Sequence, residues 1–208
     1  MAIFVFVHGT SCGGWVWKKL SQLLRLAGHE VYAPTLTGLA NMKHLLDARI
    51  NLTTHITDIC NLLFYEDLED IILVGNSYGG MVITGVAAKM PERLKRIIYL
   101  DAYLPDDGQC EGDLLPTEMF TARQAEASDH GGLVQPPSPA IFGMTDPDLA
   151  SWVGSRMTPH PFNTYIEAVH TKVGRSLAVP GIFIHCIGNP KSTPDLFLSS
   201  SMKARERQ

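Results

Sequence analysis

Ser77 carries the most evident chemistry in this chain. It sits at the centre of Gly75-Asn76-Ser77-Tyr78-Gly79-Gly80. The four apolar residues before that stretch, Ile71-Ile72-Leu73-Val74, include three β-branched ones and read as a buried strand. Residues 81–90 after it recur at helical spacing. A sharp strand-to-helix turn pushes the central hydroxyl out at the carboxyl end of a sheet, and glycines two residues either side leave room that β-carbons would block. A serine hydroxyl is a weak nucleophile by itself. It needs an imidazole to take its proton and preorganised N–H donors to hold the oxyanion that its attack creates. The amide of Tyr78, next in sequence and at the amino end of the predicted helix, is one such donor.

The elements that must position this turn can be read in order. Residues 3–7 form a continuous apolar run suited to a strand buried on both faces, ending at the small-residue stretch His8-Gly9-Thr10-Ser11-Cys12-Gly13-Gly14. Leu20, Leu23, Leu24 and Ala27 then mark a helix that Gly28 closes. A strand over 30–33 follows, and residues 34–50 read as loop with one short helical turn. Thr53 or Thr54 is expected to cap a helix that turns Ile56, Ile59, Cys60, Leu62 and Leu63 inward. Beyond the Ser77 turn come a strand over 96–100, a helix over 162–173, a strand over 182–186 and a helix over 195–205. Strands alternating with helices predict an α/β fold with a mainly parallel sheet and right-handed crossovers. Residues 105–161, rich in proline and glycine but carrying Met119, Phe120, Phe142, Met144, Trp152 and Met157, are too long for a structureless loop and predict a helical cap between the fourth and fifth strands.

Composition narrows the function. At 208 residues, 45% hydrophobic and 18% charged, the chain is read as one domain with a sizeable core. A net charge of −4 offers no basic stripe for a phosphate backbone, so nucleic acid is not an expected partner. No apolar run reaches the ~18 residues of a membrane span, and no basic region precedes Ile3, which predicts a cytoplasmic protein. The four scattered cysteines lack metal-ligand spacing, so neither a metal nor another cofactor is expected.

Three stretches in order, His8-Gly9-Thr10-Ser11-Cys12-Gly13-Gly14-Trp15-Val16-Trp17, Gly75 to Gly80, and Leu100-Asp101-Ala102-Tyr103-Leu104-Pro105-Asp106-Asp107-Gly108, resemble the compact α/β-hydrolases. That family includes carboxylesterases, plant methyl-ester esterases and hydroxynitrile lyases. The resemblance covers nearly the whole chain. It implies a Ser-His-acid hydrolase under a helical cap, with the Thr10 amide as the second oxyanion donor. It leaves two acids open: Asp195, after the fifth strand, where the family more often carries it, and Asp101, after the strand that follows Ser77. Trp15, Tyr103, Phe120, Phe142 and Trp152 lie where they would roof an apolar ester, and no cluster of Arg or Lys is placed to pair with an anionic one. His8 is expected to orient its loop rather than act as base.

The chain departs from the family at the base. The family histidine lies in a Gly-His pair after one further strand, and none of the eight histidines here matches it. His29, His44, His55 and His130 read as solvated, His185 lies in a strand, and only His160 or His170 could reach the site by another route. The expectation is therefore a short homologue or truncation lacking the terminal strand and helix, with a sheet edge exposed to self-association. Three functions follow from these residues: an esterase, a relative that binds an apolar ester or carboxylate without turning it over, and, third, a lyase of the hydroxynitrile type.

Overall fold

The computed structural model describes residues 1–171, 179–187 and 196–206. Its main sheet has five strands, β1 (Ile3–Val7), β2 (Glu30–Tyr32), β3 (Ile71–Ser77), β4 (Leu94–Ala102) and β7 (Gly181–Ile184), in the order β2-β1-β3-β4-β7. Every pairing in it is parallel. This is the expected α/β architecture. Ladder bonds carry β3 three residues past the expected Val74, to Ser77, and extend β4 two residues beyond each end of the expected 96–100, whereas β7 starts one residue early and ends at Ile184, leaving His185 outside the strand.

Strands buried on both faces need apolar residues at every position, and the period of two then sorts them between two cores. Val5, Val7, Ile71 and Leu73 face one side, where they pack with Ile56, Ile59 and Leu63 of α2 (Leu52–Tyr65) and Met81, Ile83 and Val86 of α3 (Gly79–Lys89). Phe6, Val31 and Val74 face the other, against Trp17 and Leu24 of the segment that leads into and forms α1 (Lys18–Leu26). α3 is enclosed along nearly its whole length. The α1 stripe differs from the sequence reading: Leu24 packs inward, but Leu20 and Leu23 face solvent.

Two caps and one helix also differ. Asn51, not Thr53 or Thr54, caps α2; its carboxamide oxygen accepts from the Thr54 amide at 3.0 Å, and Thr54 closes the capping box. Of the helix expected over 162–173, the described residues, which stop at 171, form only α6 (Asn163–Ile166), and Glu167 is already extended. The last helix, α7 (Leu198–Glu206), begins three residues later than expected. Asp195 lies outside the described residues.

Between β4 and β7 the chain builds a separate layer. It contains α4 (Thr117–Asp129), β5 (Leu133–Val134), α5 (Pro147–Gly154), β6 (His160–Pro161) and α6, with β5 and β6 pairing antiparallel. Ala127, Val134 and Tyr165 form its small core, joined by Phe120 and Phe162. No described helix is long and apolar enough to cross a membrane.

Candidate active site

The sheet order reverses between β1 and β3: from β1 the chain runs outward to β2, then returns to place β3 on the other side. Ligand sites in open parallel sheets form at such a switch point, beyond the carboxyl ends of the strands. The structure brings Ser77 and the Gly9–Cys12 turn together there.

Ser77 adopts φ 53°, a left-handed conformation rare for a residue with a β-carbon. The local sequence explains how it is held. A β-carbon on Gly75 would lie 2.5 Å from the Gly79 carbonyl oxygen, and one on Gly79 would lie 2.7 Å from the Val7 oxygen. Strand and helix can therefore fold back on each other only with glycine at both places. The turn is pinned from β4 as well, where the Tyr103 amide donates to the Ser77 carbonyl at 3.2 Å. Tyr78 is the residue immediately before α3, so its amide lies at the positive end of a helix.

The partner turn comes from the end of β1. A β-carbon on Gly9 would stand 3.0 Å from that of Ser77, so this backbone lies directly against the serine. His8 orients the turn as expected: its Nδ1–H donates to the Gly9 carbonyl at 2.8 Å, and its Nε2 accepts from the Leu36 amide at 3.1 Å. Burial lowers the His8 pKa to about 4, and the ring is neutral.

Asp101 occupies a β-bulge. Asn76 pairs with Leu100 but Ser77 pairs with Ala102, leaving Asp101 as the extra residue, at φ 46°. A bulge at a sheet rim re-aims one side chain, here the carboxylate beside the serine strand. Its Oδ1 accepts from the Cys186 amide at 3.1 Å, just past β7. Asn76 braces the bulge, donating to the Leu100 carbonyl at 2.9 Å.

The histidines are where the sequence reading needs most correction. His55 is not solvated; it is fully buried behind Tyr78. Its Nε2–H donates to the Thr37 carbonyl at 3.0 Å, which leaves Nδ1 to accept the Tyr78 hydroxyl at 2.9 Å. The Asp58 carboxylate completes this chain, accepting from the Thr37 amide and hydroxyl at 2.7 and 2.8 Å. Burial lowers the His55 pKa to about 4. His160 is equally buried and accepts from the Ser11 amide at 3.2 Å through Nδ1. His44, His130 and His170 are exposed, and His29 is half-buried and accepts from the Ala2 amide. Among the described residues, no histidine hydrogen-bonds the Ser77 hydroxyl.

Of the aromatic residues expected over the site, Trp15 and Trp152 meet edge to face at 5.3 Å, joining the β1 loop to α5. Tyr103 is instead a core residue, 5.1 Å from Phe197. Phe120 stacks on Phe162 inside the inserted layer, and Phe142 is half exposed. Sequence reasoning missed Glu111 altogether. The residue is 2% exposed with its Oε2 unpartnered, and burial pushes its pKa up to about 8 despite the nearby Arg123. No metal-binding group of three His, Cys, Asp or Glu occurs among the described residues.

Residues 4–205 match the alpha/beta hydrolase family. The chain belongs to that family. Within it, this hydrolase is 40% identical over 174 residues to the carbendazim hydrolyzing esterase of Nocardioides sp. (strain SG-4G), covering 79% of this chain and 72% of that protein. It is 34% identical over 150 residues to methylesterase 10 of Arabidopsis thaliana, covering 67% of this chain and 53% of the plant protein. The chain thus spans about half the length of that plant relative. Among solved structures, an extracellular alpha/beta-hydrolase from a Paenibacillus species superposes with a TM-score of 0.87 at 25% identity, over 98% of this chain and 86% of that one.

Proposed function

We propose that this hydrolase is a serine carboxylesterase for small to medium apolar esters, with Ser77 as nucleophile. The observation that carries the reading is the left-handed Ser77, held between a strand end and a helix start, with the Gly9–Cys12 turn packed against it. The Ser77 oxygen attacks the ester carbonyl, and the amides of Thr10 and Tyr78 receive the oxyanion. The tetrahedral intermediate expels the alcohol, which carries away the proton that Ser77 gave up, and leaves an acyl-serine that water then cleaves to the acid. Trp15 and Trp152 supply the apolar wall, and residues 105–161 act as the cap. Asp101 or Asp195 is the acid; the bulge that aims Asp101 at the sheet rim supports the former. The esterase names of the two curated relatives support the reaction class. Four free cysteines suit a reducing, cytoplasmic setting.

A second reading is binding without turnover. It is favoured by the engagement of both ring nitrogens of His8 and His55, which leaves Ser77 without an imidazole among the described residues. Loss of a triad base costs on the order of 10⁶ in turnover, while the oxyanion hole and binding alone retain ~10³ over water.

Fluorophosphonate labelling and hydrolysis of p-nitrophenyl acetate and butyrate separate the two. The esterase reading expects labelling and turnover that Ser77→Ala abolishes. No labelling, with p-nitrophenyl butyrate bound but not cleaved, would overturn it in favour of the binding reading.

A further inference from the structure

The Gly9–Cys12 turn is closed by the Cys12 amide donating to the Gly9 carbonyl at 3.4 Å. Ser11, its third residue, has φ 60°, whereas Thr10 is not in the left-handed region. This combination is a type II turn, which asks for glycine at the third position. A serine there relaxes by flipping the central peptide, which gives a type I turn and returns Ser11 to negative φ. The flip would swing the Thr10 carbonyl and the Ser11 N–H through about half a turn, beside the amide that is to hold the oxyanion.

Nothing within the turn opposes this flip. What opposes it comes from the inserted layer: Ser11 N–H donates to His160 Nδ1 at 3.2 Å, while the Thr158 amide, donating to the Ser11 carbonyl at 3.0 Å, holds the peptide that follows. The His160 backbone is fixed by its pairing with Val134, and its ring is wedged between Tyr78, at 5.1 Å, and Tyr165, at 5.7 Å. Nδ1 is an acceptor only in the neutral ring. Burial first, then the neighbouring His55, His8 and Arg123, hold the His160 pKa well below its ordinary value. Nε2, which then carries the proton, has no partner. A buried N–H without an acceptor costs about 1–3 kcal/mol, so the one hydrogen bond this ring makes is kept at the expense of the other nitrogen.

We propose that His160 is a positioning residue, which locks the central peptide of the Gly9–Cys12 turn so that the Thr10 carbonyl does not swing round beside the Thr10 amide that is to hold the oxyanion. The inference rests on the esterase reading above and assigns the inserted layer a part in transition-state stabilisation. His160 does not touch the reacting atoms; it acts through Ser11.

The test uses the full chain with His160→Leu, which removes the acceptor, and His160→Asn, which returns an amide oxygen to the place of Nδ1. Amide hydrogen exchange at Ser11 reads the lock directly. Fluorophosphonate labelling of Ser77 and the kcat and KM for p-nitrophenyl butyrate read its consequence. His160→Leu is expected to lose Ser11 protection and to lower kcat and labelling by about 10- to 100-fold, with KM changed by less than about 2-fold, since a carbonyl turned beside the oxyanion offsets part of a donor worth roughly 10²–10³. His160→Asn is expected to restore both. Should the leucine variant not fold, His160→Gln, whose oxygen sits one bond further out, is expected to show the same losses. Unchanged Ser11 protection, or a rise in KM with kcat intact, overturns the inference. A parent chain that neither labels nor turns over sinks the esterase reading alone, and Ser11 exchange across the variants still decides the lock.

Discussion

Ser77 and Ser11 are both left-handed serines on adjacent turns, but they are held by opposite means. Ser77 is held chiefly by glycines two residues either side, which let β1, β3 and α3 approach closely, with the Tyr103 amide added on its carbonyl. Ser11 is fixed by Thr158 and His160, across 147 and 149 residues of sequence. Strain stored by close backbone packing is written locally, and strain stored by a distant hydrogen bond is not. The first kind survives surface change elsewhere in the molecule; the second depends on a whole layer being docked.

The largest effect should come from attacking the packed turn. Gly79→Ala puts a methyl 2.7 Å from the Val7 oxygen and 3.1 Å from that of His8, backbone atoms at and just past the end of β1 that cannot give way. A loss of at least about 4 kcal/mol in chemical denaturation, or failure to fold, is expected. A loss below 1 kcal/mol would mean that the turn is not held by contact.

Glu111 tests the dryness of the inserted layer. Its pKa is raised from 4.5 to about 8, so the native state binds the extra proton between those values and stability falls as pH rises through that window. Glu111→Gln does not titrate. Its stability relative to the parent should therefore grow by on the order of 4 kcal/mol from pH 4.5 to 8 and level off above. His8 and His55, both lowered to about 4, act oppositely: the unfolded chain takes up their protons first, and stability is lost as pH falls from about 6.5 to 4. A pH-independent difference between Glu111→Gln and the parent would show that water reaches the carboxyl.

The smallest effect belongs to the distantly held turn. Ser11→Gly removes the left-handed penalty but adds backbone freedom to the unfolded chain, two terms of about 1 kcal/mol that nearly cancel. Melting should show a stability within about 1 kcal/mol of the parent. A cost above 2 kcal/mol would assign the Ser11 side chain, whose hydroxyl has no partner, an energetic role that the geometry does not give it.

The same contrast explains what could be read in the sequence. The parallel sheet and the Ser77 turn were legible because apolar runs and paired glycines are local signals, and the small residues after β1 already marked a close backbone approach. The bulge that displaces Asp101 was not, because it arises from register between two strands and leaves no mark on either alone. His55 reads as a solvated helix residue by its neighbours in sequence, yet Thr37 and Tyr78, 18 and 23 residues away, bury and satisfy it. His160-Pro161 carries one hint, a proline that confines the pair to a short extended segment, but nothing in it names Ser11 as partner. Glu111 gave no signal, since an acidic residue in a proline- and glycine-rich stretch ordinarily faces water.

The 149-residue separation of Ser11 from His160 also sets a schedule. At a ribosomal pace of about 5–20 residues per second, roughly 7–30 seconds separate the synthesis of the two residues. Ser77 is made 66 residues after Ser11 and 83 before His160, so the nucleophile is present while the lock on its neighbour is not. On the roles inferred here, a nascent chain carries its nucleophile early and matures its oxyanion site late, so the growing polypeptide passes through synthesis without a competent centre.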